Sequence, residues 1–371
     1  MPERAPLHPV NRAHLDVLSD EVGIMQHAIG SEPDPAHGYC VDDVARALQV
    51  DLLHRQVLGW AAVADRARRN LRFLDEAFDP STGRFRNFCG VDGSWATEPG
   101  SQDCQGRAMS ALGDLIAVAP DADTVGTALS LFERALPAAQ GVTALRAQAS
   151  VLLACDAAMR GVPSARAAQA YRIVVARLRS RFESRAGSSW PWPESRLTYE
   201  NALPVRALIV AGQYPGSTSL IDTGVHLLDW LIAEQTAPTG HLSPIGNGWW
   251  PAGGVKSHFD QQPIEATTLL LAAGSAFEVT GNERYRAAME QAYAWFLGKN
   301  DLGAMVADPA TGACGDGLTP TGVSVNQGAE STLMWLTALE RIRAMRGVQP
   351  TVIAAPTAAA TAELTSASRA S

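Results

Sequence analysis

The sequence predicts an all-α fold: six consecutive helical hairpins closed into a ring, an (α/α)6 toroid, with few short strands at its periphery. Three observations lead there. Apolar residues recur at three- and four-residue spacing along most of the chain. Convincing β alternation is scarce. Polar, mostly acidic helix openings return at intervals that fit two helices plus two loops.

The elements follow in order. Leu15, Leu18, Val22 and Met25 predict a first helix. Asp42-x-x-x-Arg46 then opens a helix with Val44, Ala47, Leu48 and Leu52 on one side, and Leu71, Leu74 and Phe78 mark its partner. Asp103-x-x-x-Arg107 opens the second hairpin. The interval from Asp103 to Glu200 is longer, and it holds an additional pair at residues 142–160 and 165–183, whose opening carries no acid. Val151, Leu152 and Cys155 lie in the first helix of that pair. The stretch Tyr199-Glu-Asn-Ala-Leu-Pro-Val-Arg-Ala-Leu208 opens the fourth hairpin, with the same Arg-Ala-Leu ending as residues 46–48; Leu227, Trp230 and Leu231 follow. Gln262-x-x-Glu265 and Gln327-x-x-Glu330 open the fifth and sixth, and Trp335, Leu336 and Leu339 continue the last. Gly/Pro-rich joins at 79–83, 236–240 and 308–312 separate helices. Six hairpins also build an open superhelix; the short total and the lack of a polar capping repeat favour closure. Residues 1–346 read as one domain. Residues 347–371, mostly Ala, Thr and Ser, are expected to form a disordered tail.

Composition narrows the function classes. The 371 residues are 46% hydrophobic, enough for a sizeable core. The net charge of -8, with no basic block, argues against nucleic acid or an anionic membrane as partner. No apolar run follows the charges of the N-terminus, so no signal peptide is expected. No stretch reaches the roughly 18 apolar residues of a membrane span. Five cysteines without a C-x-x-C pair fit a reducing cytoplasm. No G-x-x-x-x-G-K-[ST], G-x-S-x-G, H-E-x-x-H or Rossmann pattern occurs, and neither a cofactor nor a metal is expected, although three acids in one cleft could hold a calcium ion.

In such a ring the inner helices run parallel, and their N-termini open on one face. Asp42, Asp43, Asp103, Glu200, Glu265 and Glu330 then converge on one cleft. Hairpin one faces hairpin four, and two faces five, which sets Asp43 opposite Glu200 and Asp103 opposite Glu265. Two carboxylates across a cleft are what glycosidic cleavage needs: one protonates the leaving oxygen, and the other activates water or attacks the sugar. The helix dipole and capping alone account for any single one of these acids. The dipole suits a base; a general acid needs burial or a second carboxylate to raise its pKa. Asp42 and Asp43 lie about 100° apart on a helix, so one is expected to cap or bind Arg46 while the other faces the cleft. Glu330 fits capping or orienting a neighbour.

The flanking residues add weight to a sugar site. Tyr39, Trp190, Trp192, Tyr199, Trp249 and Trp250 lie in or beside Gly/Pro-rich loops, and aromatic faces stack on sugar rings. A loop packed over the core is the alternative for Trp249 and Trp250. Trp60 and Trp230 sit in helices and read as core. The segment 257–265 gathers His258, Asp260, Gln261, Gln262 and Glu265 at one loop-to-helix join. Arg46, Arg107, Gln262 and Gln327 are candidates to hold the acids or the sugar.

The stretches HGYCVDDVARAL (37–48), SQDCQGRAMSAL (101–112), LTYENALPVRALI (197–209), FDQQPIEAT (259–267) and NQGAEST (326–332) carry a resemblance. Over residues 10–345 the chain resembles the six-hairpin glycosidase superfamily. It is also similar to a group of bacterial domains found alone or joined to glycosyltransferase modules. The resemblance implies catalytic acids at the mouths of the inner helices, with inversion common; Asp43, Asp103, Glu200 and Glu265 are the matching positions.

Three expectations compete. The first is a glycoside hydrolase, or a phosphorylase, acting on a bacterial oligo- or polysaccharide. Asp103 and Glu265 are its working pair, with Asp43 and Glu200 next. The second is a sugar epimerase or isomerase, in which His37, His241 and His258 become central; a lyase is a weaker variant, because the cleft is acidic. The third is a non-catalytic carbohydrate-binding module serving a glycosyltransferase partner.

Overall fold

A computed structural model describes residues 4–185 and 187–347. The expected tail therefore lies outside the described residues, except for Gly347. Twelve helices span the described chain: α1 Ala13–Leu18, α2 Val41–Leu58, α3 Trp60–Ala77, α4 Gln102–Val118, α5 Ala122–Gln140, α6 Leu145–Gly161, α7 Ala165–Glu183, α8 Ala202–Ala211, α9 Ser219–Glu234, α10 Pro263–Thr280, α11 Glu283–Phe296 and α12 Ala329–Met345. Each even-numbered helix packs on the next, and α12 packs back on α2, so the ring closes. Helices α3, α5, α7, α9 and α11 pack outside, each against its own hairpin partner. This is the (α/α)6 toroid.

Sequence decides which helix goes to which layer. Helix α10 is apolar around most of its circumference and buries Ile264, Ala266, Leu269, Leu270, Ala273 and Ala276, so it needs protein on every side. Helix α3 buries Val63, Ala64, Ala67, Leu71 and Leu74 at helical spacing and turns Arg68 and Arg72 to solvent. Helices α4 and α6 touch backbone to backbone. A Cβ on Gly113 would lie 2.4 Å from the Ala154 carbonyl oxygen, and one on Gly161 would lie 2.2 Å from that of Ile116. Only glycine permits that approach.

Two expectations are corrected at the ends of the chain. The first helix stops at Leu18 instead of running to Met25. The Asp20 carboxylate accepts the backbone N–H groups of Val22 and Gly23 at 2.8 and 3.1 Å, along with the Tyr39 hydroxyl, and so turns the chain. Among the described residues, moreover, no outer helix follows α12; α1 packs against it instead. The N-terminal segment straps the seam between the last and first hairpins. The Tyr293 hydroxyl donates to the Pro6 carbonyl and Arg343 to that of His8, while Arg12 reaches Asp51 and His54 on α2 at 2.5 and 2.7 Å.

Strands are confined to two-residue pairs. The joins at 79–83 and 308–312 are hairpin turns, closed by Phe78–Asp79 on Arg84–Phe85 and by Ala307–Asp308 on Ala313–Cys314. The join at 236–240 is closed by a single bridge between Thr236 and Leu242. Connections from inner to outer helices are short (Gly59, 119–121, 162–164, 212–218, 281–282). Those returning to inner helices are long (19–40, 78–101, 184–201, 235–262, 297–328), except 141–144. The long loops stand around the N-termini of the inner helices and form a mouth. No helix among the described residues is long and apolar enough to cross a membrane. All five cysteines are buried and unpaired.

Candidate active site

At the mouth, the acids are not occupied with capping. None of them supplies the N-cap bond of its helix; at α4 that bond comes from the Ser101 hydroxyl, which accepts the Cys104 N–H at 3.0 Å. Asp42 and Asp43 point different ways, as their angular separation requires. Asp43 is 3% exposed and accepts from Arg46 at 2.8 Å and from the Cys40 thiol at 3.1 Å. Arg46 reaches on to Glu330 at 2.9 Å, whose side chain is more open to solvent. Asp42 accepts from Asn87 and from Arg107, both at 3.0 Å.

Arg107 carries the connection across the mouth. It grips Asp42 with one nitrogen and Glu200 with the other, at 2.5 Å. Glu200 thus meets Asp42, through Arg107, and not Asp43 as its direct counterpart. The backbone of Glu200 sits at φ 46, a left-handed conformation unfavourable for a residue with a Cβ. That turn aims its N–H at Glu265, which accepts it at 2.5 Å and takes a longer bond from Asn201. The neighbouring Tyr199 donates its hydroxyl to Asp103. The other oxygen of Asp103, Oδ1, is buried without a partner. Residues 199–201 therefore connect the two acids expected to work together.

Arg146 fixes this segment. It is 5% exposed, opens α6, and donates to the Tyr199 carbonyl, Glu194 and Asn201 while stacking on the Tyr199 ring at 4.5 Å. Sequence reasoning looked for acids at helix openings and passed over it. The acid missing from the third opening was the available signal. Asn87, Asn201 and Asp316 were also missed. Asp316 accepts the Gly328 N–H at 2.7 Å, and burial raises its pKa while His27 opposes.

Electrostatics separate the carboxyls. Burial raises Glu265 to about 7, with the neighbouring Glu200 charge adding to the rise and the Glu200 N–H and Arg146 opposing it. Burial also acts on Glu200 and Asp42, but nearby guanidiniums, Arg107 first, outweigh it and hold both below the ordinary range. Asp43 is raised, since burial there exceeds the pull of Arg46. Tyr199 is held protonated, by burial first and then by Asp103. Among the described residues, no group of three or more His, Cys, Asp or Glu is placed to hold a metal ion.

The expected aromatic platform is largely elsewhere. Trp192 is fully buried against Phe182, with its N–H on Glu194, and Tyr39 is buried against Phe73, with its hydroxyl on Asp20. Both are core residues: their short loop segments fold inward, and each polar tip finds a partner. Trp190 and Trp250 pack with Trp230 of α9 in one cluster, with centroids 5.3–6.2 Å apart. Trp249 remains 38% exposed, with Arg196 over its ring. Asp260 and Asn247 brace each other within the loop before α10. Gln262 and Gln327 stand at the openings of α10 and α12, half-buried.

The three histidines have different side-chain surroundings. His241 bonds Asp301 and Thr239 at 2.9 and 2.8 Å, while His258 is exposed. His37 is exposed and meets the half-buried His27 edge-on at 4.6 Å.

No protein-family model matches the chain, and no curated protein matches its sequence. Solved structures match its fold. A cellobiose 2-epimerase from Spirochaeta thermophila is 14% identical with a TM-score of 0.64, over 89% of this chain and 92% of that one. A D-mannose isomerase is 12% identical with a TM-score of 0.67, over 90% and 94%. An α-mannanase from Bacteroides thetaiotaomicron is 11% identical with a TM-score of 0.63, over 90% and 94%. What they share with this chain is the six-hairpin (α/α)6 toroid.

Proposed function

We propose that the protein is a carbohydrate-active enzyme that cleaves a glycosidic bond, with Glu265 as proton donor and Asp103 as the group that activates water. The observation that carries this reading is a buried Glu265 raised to about 7 in a mouth whose neighbouring Glu200 and Asp42 are held ionised. A carboxyl poised near neutral pH suits general acid catalysis. Glu265 gives its proton to the glycosidic oxygen as the C–O bond breaks. Water adds to the anomeric carbon and loses its proton to Asp103, which the Tyr199 hydroxyl orients. The charged Asp42 and Glu200 favour the positive charge that develops on the sugar. Arg46 and Arg107 keep these groups in place. The excess of carboxyls at the mouth favours water over phosphate as the attacking group, so hydrolysis is the preferred form. The names of the mannanase, epimerase and isomerase neighbours support a saccharide substrate. Five free, buried thiols agree with a reducing compartment.

The test is a product assay on bacterial oligosaccharides, with and without phosphate, comparing wild type with Asp103→Asn and Glu265→Gln. Cleavage that disappears in both supports the pair. Cleavage that survives both overturns it.

A second reading is favoured by one observation. The His27–His37 contact stands near Asp316 and the opening of α12. Sugar isomers appearing without cleavage, and lost in His27→Gln, would assign epimerisation or isomerisation to that pair.

A further inference from the structure

The outer wall of the molecule holds a groove that the mouth chemistry does not use. It has a volume of about 500 Å³ and runs along α7, from the 212–218 turn to Glu183. Its size falls within the range of small-molecule sites. Val175, Ala176 and Pro215 give it an apolar floor, and Tyr171 and Tyr214 meet in its wall with centroids 4.8 Å apart.

The polar groups of this groove are incomplete. The Tyr214 hydroxyl donates to Asp156 at 3.0 Å, whereas the hydroxyl of Tyr171, a residue only 6% exposed, has no partner. Arg179 Nε is likewise buried and unbonded. Leaving such groups unpaired costs about 1–3 kcal/mol each. The arginines of α7 divide by side. Arg177 and Arg181 donate to the carbonyls of Gln140 and Thr143 at 2.5 and 2.6 Å. Arg172 and Arg179, seven residues apart on the groove face, make no ion pair or hydrogen bond with the described residues. Glu183, Ser180 and Ser217 add groups suited to hydroxyls.

We infer that this groove is a second saccharide site, separate from the mouth, for a sugar unit bearing a carboxylate or a phosphate. The ring lies on the apolar floor and the tyrosine pair. Its anionic group meets Arg172 and Arg179. The inference does not depend on which reaction the mouth performs.

Binding to the full chain tests it by titration calorimetry with four probes: a glucuronyl-glucose disaccharide, glucose 6-phosphate, cellobiose and inorganic phosphate. Saturable binding of either anionic sugar is expected, and which one binds identifies the source of the charge. The double variant Arg172→Gln/Arg179→Gln should weaken binding by at least about 10-fold, and Arg172→Gln alone, at an exposed position that leaves the fold unchanged, by about 3- to 10-fold. The inference is overturned if neither anionic sugar binds, if inorganic phosphate binds as tightly, or if the groove variants bind the anionic sugars like wild type.

Discussion

Glu200, just before α8, and Glu265 on α10 stand in similar surroundings at the mouth and titrate in opposite directions. Glu200 and Glu265 are 7% and 5% exposed and joined by a hydrogen bond, yet one is held below the ordinary carboxyl range and the other is raised to about 7. Burial pushes both the same way. Arg107 bonds Glu200 and Asp42, whereas Glu265 bonds only the N–H groups of Glu200 and Asn201. At Glu200 and Asp42 the guanidinium in contact reverses the sign that desolvation sets, whereas at Asp43 burial exceeds the pull of Arg46. The placing of Arg107 thus sets Asp42 and Glu200, which it holds charged, apart from Glu265, which carries a proton.

The strongest test of that division is Glu265→Gln. Turnover should fall about 10³-fold, within the range of general acid catalysis, with the fold retained by circular dichroism. Near-normal turnover would leave the α10 side without a role in proton transfer. Arg107→Met attacks the other side. It leaves two buried carboxyls without their cation, so urea unfolding should show a loss of about 3–5 kcal/mol, and Glu200 should shift upward as Glu265 does. A loss below about 1 kcal/mol would mean that the clamp is not what separates the two sides.

The pH dependence sharpens the comparison. Between 4.5 and about 7, folded Glu265 keeps a proton that the unfolded chain has released. Stability from this group is present in full below 4.5 and is lost as pH rises through about 7, a change of roughly 3 kcal/mol. Glu340, raised to about 7 mainly by burial, adds a second contribution of the same sign far from the mouth. Denaturant melts at pH 5 and 8 should show the decline, and Glu340→Gln should flatten only its own share. Activity should also fall above about pH 7 as Glu265 loses its proton. The smallest effect is expected from Tyr199→Phe, which frees Asp103 to rotate. Turnover should drop about 5- to 10-fold, with little change in KM or melting temperature. An unchanged kcat would show that the hydroxyl has no orienting role.

Much of the ring was legible in the sequence. The third hairpin, placed at 142–160 and 165–183 by periodicity alone, is found at Leu145–Gly161 and Ala165–Glu183, because helices that must bury one face or all faces declare it in their spacing. The first helix misled. Val22 and Met25 keep the spacing, but one side-chain turn at Asp20 ends the helix, and periodicity does not register a competing hydrogen bond. The acids were legible as a set, since each opens an inner helix. Their partners were not. Arg107 finds Glu200 across 93 residues of sequence, and no local pattern encodes that meeting. The loop aromatics were legible only as composition. Trp192 and Tyr39 turned inward because their polar tips find partners there, while Trp249 stayed out.

The strap over the seam has a consequence for how the molecule holds its shape. Five joints of the hoop link hairpins that follow one another along the chain. The sixth, α12 on α2, links elements separated by most of its length. Closing so distant a pair costs more chain entropy than any other joint, and contacts of that separation form late in folding. The strap's bonds at Pro6, His8 and Arg12 therefore act as a clasp. Opening it leaves the contacts within every hairpin intact and separates Glu330 on α12 from Arg46 on α2, so the mouth loses a bond that spans the seam.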